Sequence, residues 1–205
     1  MTTRRYELAK RAFDLTVASS VGVLAAPLLG AIAAAIKFES RGPLFFRQER
    51  IGRHGRPFEI VKFRTLVDSP PGEPADYLIS KSDPRITRVG AFLRRWSLDE
   101  LPQVWNVLRG DMSIVGPRPT LRYQVERYDD FQRRRLEVLP GVTGWAQVSG
   151  RNELSWPERI KLDVWYVDHR SFSLDLSIVA ATVKTLFQPS SIYDDAQGDW
   201  GERPS

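Results

Sequence analysis

Cysteine is absent from the 205 residues, which excludes disulfides and thiolate metal sites. Histidine is limited to His54 and His169, so a zinc site would lack its usual ligands. Any metal is expected on carboxylate oxygen, which favours Mg²⁺. Lysine is scarce as well: arginine supplies 24 of the 30 basic residues in a chain of net charge +5. Such a surface suits phosphates, anionic lipid or nucleic acid. Few aromatics interleave the arginine clusters as stacking platforms, which argues against nucleic acid. At 42% apolar content the chain is long enough for one catalytic domain and an appendage.

The most conspicuous stretch that is present has no charge at all. From Leu15 to Ile36 the only polar side chains are Thr16, Ser19 and Ser20. As a helix this run would extend ~33 Å, the thickness of a bilayer core. Ala33-Ala34-Ala35 resembles a signal-peptide cleavage site, but the run is longer than a usual signal core. A simple spanning helix is the stronger rival. Against it, basic residues flank both ends: Arg4, Arg5, Lys10 and Arg11 before, Lys37, Arg41, Arg47, Arg50 and Arg53 after. Positive flanks stay cytoplasmic, so both ends belong on one side. Pro27 removes a backbone bond near the middle and can turn the helix back. A re-entrant helix-break-helix over residues 1–40 is therefore expected.

Beyond it, Leu44 to Ile51 and Phe58 to Arg64 read as strands joined by a hairpin-like Gly52–Pro57 loop. Alternation places Lys62 and Arg64 opposite Val61 and Phe63, a pattern that a solvated strand face would also give. Val67 to Pro84 reads as a long mobile loop. Across Pro84 to Trp96, Ile86, Val89, Phe92, Leu93 and Trp96 recur at helical spacing among arginines. That stripe fits lipid headgroups or packing under the next helix equally well.

Ser97-Leu98-Asp99-Glu100-Leu101-Pro102-Gln103 opens a helix expected to run through Leu108 and stop at Gly110. Ser97 with Glu100 has capping-box spacing, and Pro102 fits a first turn; whether Ser97 or Asp99 is the N-cap stays open. Asp99 falls at the positive end of the helix dipole, which would keep it ionised beside free N–H groups. First-turn acids are ordinary dipole complements, so it is the setting that suggests chemistry. Arg85, Arg88, Arg94 and Arg95 precede the acids, and the Gly110–Pro119 segment holds Arg118. Carboxylates framed by guanidinium forks suggest a phosphate substrate and a nucleophilic Asp99.

Leu121 to Leu139 reads as a helix with Arg133-Arg134-Arg135 on a solvated or headgroup face. Val142 to Asn152 is a Gly-dense stretch whose Arg151 could reach a ligand, or an ordinary hairpin. Helices over Trp156–Val167 and Leu174–Phe187 precede a polar tail. The expected class is α+β, mostly helical: a monotopic membrane protein with interfacial amphipathic helices and a small β-hairpin region. Its expected division is 1–40 membrane helix, 41–188 catalytic domain and 189–205 tail.

Several motifs in one order resemble the small monotopic phosphoglycosyl transferases, the bacterial sugar transferase family that begins glycan assembly on polyprenyl phosphate. They are Lys10-Arg11-Ala12-Phe13-Asp14, Lys62-Phe63-Arg64-Thr65, Ser97 to Gln103, Gly116-Pro117-Arg118-Pro119, Pro140 to Gly144 and Gly150-Arg151-Asn152. The resemblance implies an Asp99–Glu100 dyad, a re-entrant hairpin in the inner leaflet of the bacterial cytoplasmic membrane, Mg²⁺ and a nucleotide-sugar donor. In the mechanism it suggests, Asp99 attacks a UDP-sugar, expels UMP and passes the phospho-sugar to polyprenyl phosphate. Glu100 holds Mg²⁺, Arg94, Lys62 and Arg118 bind phosphate, and Arg151 and Asp175 are weaker candidates. The chain departs from the family at the membrane break, where Ala26 stands before Pro27 instead of the frequent serine. A non-catalytic, Arg-rich module binding anionic lipid or a partner enzyme is the alternative, and a membrane-tethered nucleic-acid binder a third. The sugar, the polyprenol length, the oligomeric state, a homodimer included, and the downstream glycosyltransferase partner stay open.

Overall fold

The computed structural model describes residues 3–67, 83–150 and 154–186. Most of the expected 67–84 loop, Arg151 and the C-terminal tail lie outside the described residues. The chain begins with α1 (Thr3–Leu24) and α2 (Ala26–Glu39), bent by 59°. Pro27 lies in the first turn of α2 and has no N–H to give the preceding turn. Ala25 N–H still reaches Val21 O and Leu29 N–H reaches Ala25 O, both at 2.8 Å, so the chain bends without coming apart. Among the described residues neither helix alone is long and apolar enough to cross a membrane; the bent pair together is, by length and composition. Its outer surface is apolar, with Val23, Leu24 and Phe38 exposed, whereas Ala18, Ile32 and Ile36 face inward.

β1 (Phe45–Ile51) and β2 (Pro57–Phe63) pair antiparallel from Phe45↔Phe63 to Ile51↔Pro57. A 3-10 turn over Arg53–Gly55 joins them, as the hairpin pattern predicts. The next helix is shorter than Pro84–Trp96: α3 is Arg88–Arg95, because Thr87 takes the N-cap and accepts the Gly90 N–H. Its apolar stripe is divided. Val89 and Leu93 pack inward, while Phe92 and Trp96 remain exposed. Gly90 is what lets α3 lie against the chain after β2, since a Cβ there would stand 2.1 Å from Thr65 O.

A 3-10 segment, Leu98–Gln103, runs into α4 (Val104–Arg109), and Gly110 at φ 88° ends it as expected. β3 (Ser113–Val115) lies parallel to β4 (Gly141–Thr143). Between them the single helix expected over Leu121–Leu139 is broken into α5 (Arg122–Glu126), α6 (Asp130–Arg133) and a 3-10 turn, Arg134–Glu137. Asp129 and Gln132 form a capping box that restarts the helix. The solvated Arg133-Arg134-Arg135 face is also corrected: Arg135 is buried against Asp163 at 2.5 Å, because an internal carboxylate draws it in. Val142–Asn152 is no hairpin in its described part, since β4 leads into α7 (Trp145–Ser149). α8 (Trp156–His169) and α9 (Phe172–Leu186) follow.

The core joins the N-terminal helices to the rest. Ala18 of α1 packs with Ile60, Val107 and Met112, and Ile32 and Ile36 of α2 with Phe63 and Leu93. Arg11 anchors α1 by donating to the last carbonyls of α4, Val107 O at 2.7 Å and Leu108 O at 3.0 Å. Asp14 accepts from Ser113 Oγ and the Ile114 N–H of β3.

Candidate active site

Four segments converge on the paired acids. Lys62 comes from the end of β2, Arg94 from the last turn of α3, Asp99 and Glu100 from the 3-10 segment, and Arg118 from the turn after β3. Lys62 Nζ lies 2.7 Å and Arg118 Nη2 2.9 Å from the same oxygen, Glu100 Oε1. Burial opposes the Glu100 charge, but Arg118 and Lys62 outweigh it and hold this carboxyl well below its usual range. Its neighbour behaves in the opposite way. The Asp99 side chain accepts no hydrogen bond among the described residues. Burial is the largest influence on it; Lys62 opposes, the Glu100 charge adds, and the group is pushed up to about 6.

The expected capping box does not form. Ser97 stands in the left-handed region at φ 55°, and its side chain caps nothing. Glu100 is turned away to Lys62 and Arg118, because two cations offer its carboxylate more than one backbone N–H. The helix therefore opens as 3-10 rather than α, and the dipole argument for an ionised Asp99 gives way to burial, which acts in the other direction. A left-handed serine next to the acids is strain stored at the site.

Of the four preceding arginines, Arg94 lies near enough to Asp99 for its charge to favour the ionised form, while its Nε donates to Thr65 Oγ1 at 2.9 Å. Arg85 pairs with Asp83 at 2.7 Å and Arg95 stands over the Trp96 ring. Arg64 does not lie on a solvated strand face. It is buried, with Nη1 on Arg41 O and Nη2 on Ser40 O at the end of α2. Asp175 belongs to a separate buried network, accepting from Tyr6 Oη and Lys10 Nζ at 2.9 Å each and from Tyr166 Oη at 2.6 Å, which ties α1 to α8 and α9. Pro27 stands at the α1–α2 bend.

Two supporting residues escape sequence reasoning. Thr65 fixes Arg94, and its only signal is its place directly after Lys62-Phe63-Arg64. Arg135 donates through Nη2 to Arg118 O at 2.9 Å and through Nη1 to Tyr128 Oη at 2.6 Å, so it holds the turn that presents Arg118. Among the described residues no three His, Cys, Asp or Glu side chains meet to make a metal cage. Mg²⁺ that completes its shell with substrate phosphates needs only one or two carboxylates. Glu100, whose bonds from Lys62 Nζ and Arg118 Nη2 both fall on Oε1, fits that limited requirement.

Comparison with known proteins gives the family. The family model for bacterial sugar transferases matches residues 5–189. The chain belongs to that family and is a phosphoglycosyl transferase. It is 43% identical over 183 residues to the uncharacterized sugar transferase EpsL of Bacillus subtilis, covering 89% of each chain. It is 43% identical over 192 residues to the undecaprenyl-phosphate glucose phosphotransferase of Komagataeibacter xylinus, covering 86% of this chain and 35% of that one. Against the undecaprenyl-phosphate galactose phosphotransferase of Salmonella typhimurium identity is 36% over 207 residues, covering 94% and 43%. The chain spans nearly all of EpsL but less than half of the two longer relatives.

Proposed function

We propose that the chain transfers a sugar-1-phosphate from a UDP-sugar to membrane polyprenyl phosphate, giving polyprenyl-diphosphate-sugar and UMP. The names of the undecaprenyl-phosphate phosphotransferase relatives support the acceptor class. The observation that carries the mechanism is the contrast between adjacent acids: Glu100 is clamped by Lys62 and Arg118, whereas Asp99 is left without a hydrogen bond among the described residues. A clamped acid is a fixture; an unclamped one is free to attack.

In the first half-reaction an Asp99 carboxylate oxygen bonds to the sugar-bearing phosphorus of the donor. The bond from that phosphorus to the bridging oxygen breaks, and UMP leaves with the electron pair. In the second, an oxygen of polyprenyl phosphate attacks the same phosphorus and the Asp99 carboxylate departs. Arg94, Lys62 and Arg118 offset charge on the phosphoryl oxygens. Glu100 would hold Mg²⁺, which when bound would offset negative charge on the donor phosphates. The bent α1–α2 pair enters the inner leaflet as a re-entrant hairpin, with exposed Phe92 and Trp96 at headgroup level and the acids on the cytoplasmic face.

Intact-protein mass spectrometry tests the covalent step. Donor alone releases UMP and leaves the wild type heavier by a phospho-sugar, and Asp99→Asn forms no adduct and does not turn over. Sequential kinetics with no Asp99-dependent adduct would overturn the covalent route.

A further inference from the structure

The helix that carries Arg94 is held at its N-terminus from outside its own stretch. An α-helix opens with four N–H groups that have no partner within it. In α3 all four are taken. Thr87 N–H donates to Thr65 O at 3.1 Å, and Gly90 N–H to Thr87 Oγ1 at 2.8 Å. The two between them, Arg88 and Val89, donate to the two carboxylate oxygens of Glu39 at 2.8 and 2.9 Å. Eight residues make a helix too short to persist in water by itself, so these outside partners decide where it stands.

Glu39 is the last residue of α2, the second arm of the bent pair. Ile32 and Ile36 of the same arm pack in one cluster with Phe63, Val89, Leu93 and Leu98. Phe63, Leu93 and Leu98 are the chain neighbours of Lys62, Arg94 and Asp99, so α2 forms the floor under three of the charged groups. Arg64 grips the Ser40 and Arg41 carbonyls and fixes the chain just beyond Glu39.

We propose that Glu39 is a positioning residue: by capping α3 from the end of the membrane hairpin, it sets where Arg94 stands beside Asp99. The inference rests on the transfer reading for its kinetic consequence, though not for the contact itself. A carboxylate at a helix start is often no more than a stabilising cap, so the test must detect action through Arg94 specifically.

The full chain in lipid nanodiscs is compared as wild type, Glu39→Gln, Arg94→Ala and the double variant. Gln keeps the size but gives up the charge and one of the two acceptor oxygens. Glu39→Gln is expected to lower kcat/KM for UMP release by about three- to tenfold, the scale of one lost cap, with no further loss in the Arg94→Ala background. Equal fold losses in both backgrounds would mean a merely structural cap and overturn the proposal. Hydrogen exchange at the Arg88 and Val89 amides is expected to quicken in Glu39→Gln; unchanged exchange would overturn the contact itself. A wild type that releases no UMP from any of a panel of UDP-sugars counts against the transfer reading alone, and the exchange measurement still decides the hold of Glu39 on α3.

Discussion

Asp99 and Glu100 are adjacent in the chain and alike in charge, yet Lys62 and Arg118 attend Glu100 and burial dominates Asp99. Their titrations are therefore drawn apart, as in sites where neighbouring carboxylates take different roles. Only the ionised form of Asp99 can attack phosphorus, so kcat/KM for UMP release is expected to fall as pH drops through about 6, roughly tenfold per unit below it. A pH profile that stays flat down to 5 would remove Asp99 as the ionisation that limits the rate. The same shift has a consequence for stability. The folded chain holds this proton more tightly than the unfolded one, so its contribution declines as pH rises from the ordinary 3.8 to about 6 and stays low above that. Asp99→Asn should therefore raise neutral-pH stability by about 1–2 kcal/mol, allowing for partial exposure, while activity is lost. Thermal melts at pH 7.5 and pH 4 check this, and the gain should shrink at the lower pH.

Elements place these residues through a few close approaches. α3 can bring Arg94 to Thr65 only because Gly90 has no side chain, and Gly90→Ala would drive a methyl into Thr65 O. Destabilisation of about 1–3 kcal/mol is expected, with a fall in UMP release larger than the folded fraction explains, read from melting curves and steady-state rates on one preparation. The 3-10 turn after α6 has a comparable task. Arg135 reaches from it to Asp163 on α8 and to the carbonyl of Arg118, with side-chain exposures of 1% and 4% for the ion pair. Arg135→Met leaves Asp163 buried without its partner and should cost about 3–5 kcal/mol in denaturant unfolding. Adding Asp163→Leu should restore much of that stability, but not the Arg118 anchor, so activity should stay low in the double variant.

For the whole molecule, basic residues flank both ends of the bent pair, and apolar side chains such as Val23, Leu24 and Phe38 are exposed on it. Cys placed singly at Arg5 and at Arg53 in this Cys-free chain should be labelled from the cytoplasmic side in both cases. Labelling from opposite sides would mean a spanning helix. What the sequence by itself determined are the features written in local pattern. The charge-free Leu15–Ile36 run with Pro27 inside it becomes the bent helix pair, the alternation before Phe63 becomes β2, and Gly110 stops α4. Each depends on residues within a turn or two of one another. Tertiary structure decided which charges meet. Lys62 and Glu100 stand 38 positions apart, Arg135 and Asp163 28, and Glu39 and Arg88 49, separations at which no sequence periodicity links the partners. The capping box at Ser97 and Glu100 is the instructive case, because its spacing was right and its carboxylate went elsewhere. A local motif offers one hydrogen bond within reach; the folded chain brought two cations, half-buried Lys62 and exposed Arg118, to the same oxygen, and the stronger, long-range pairing prevailed.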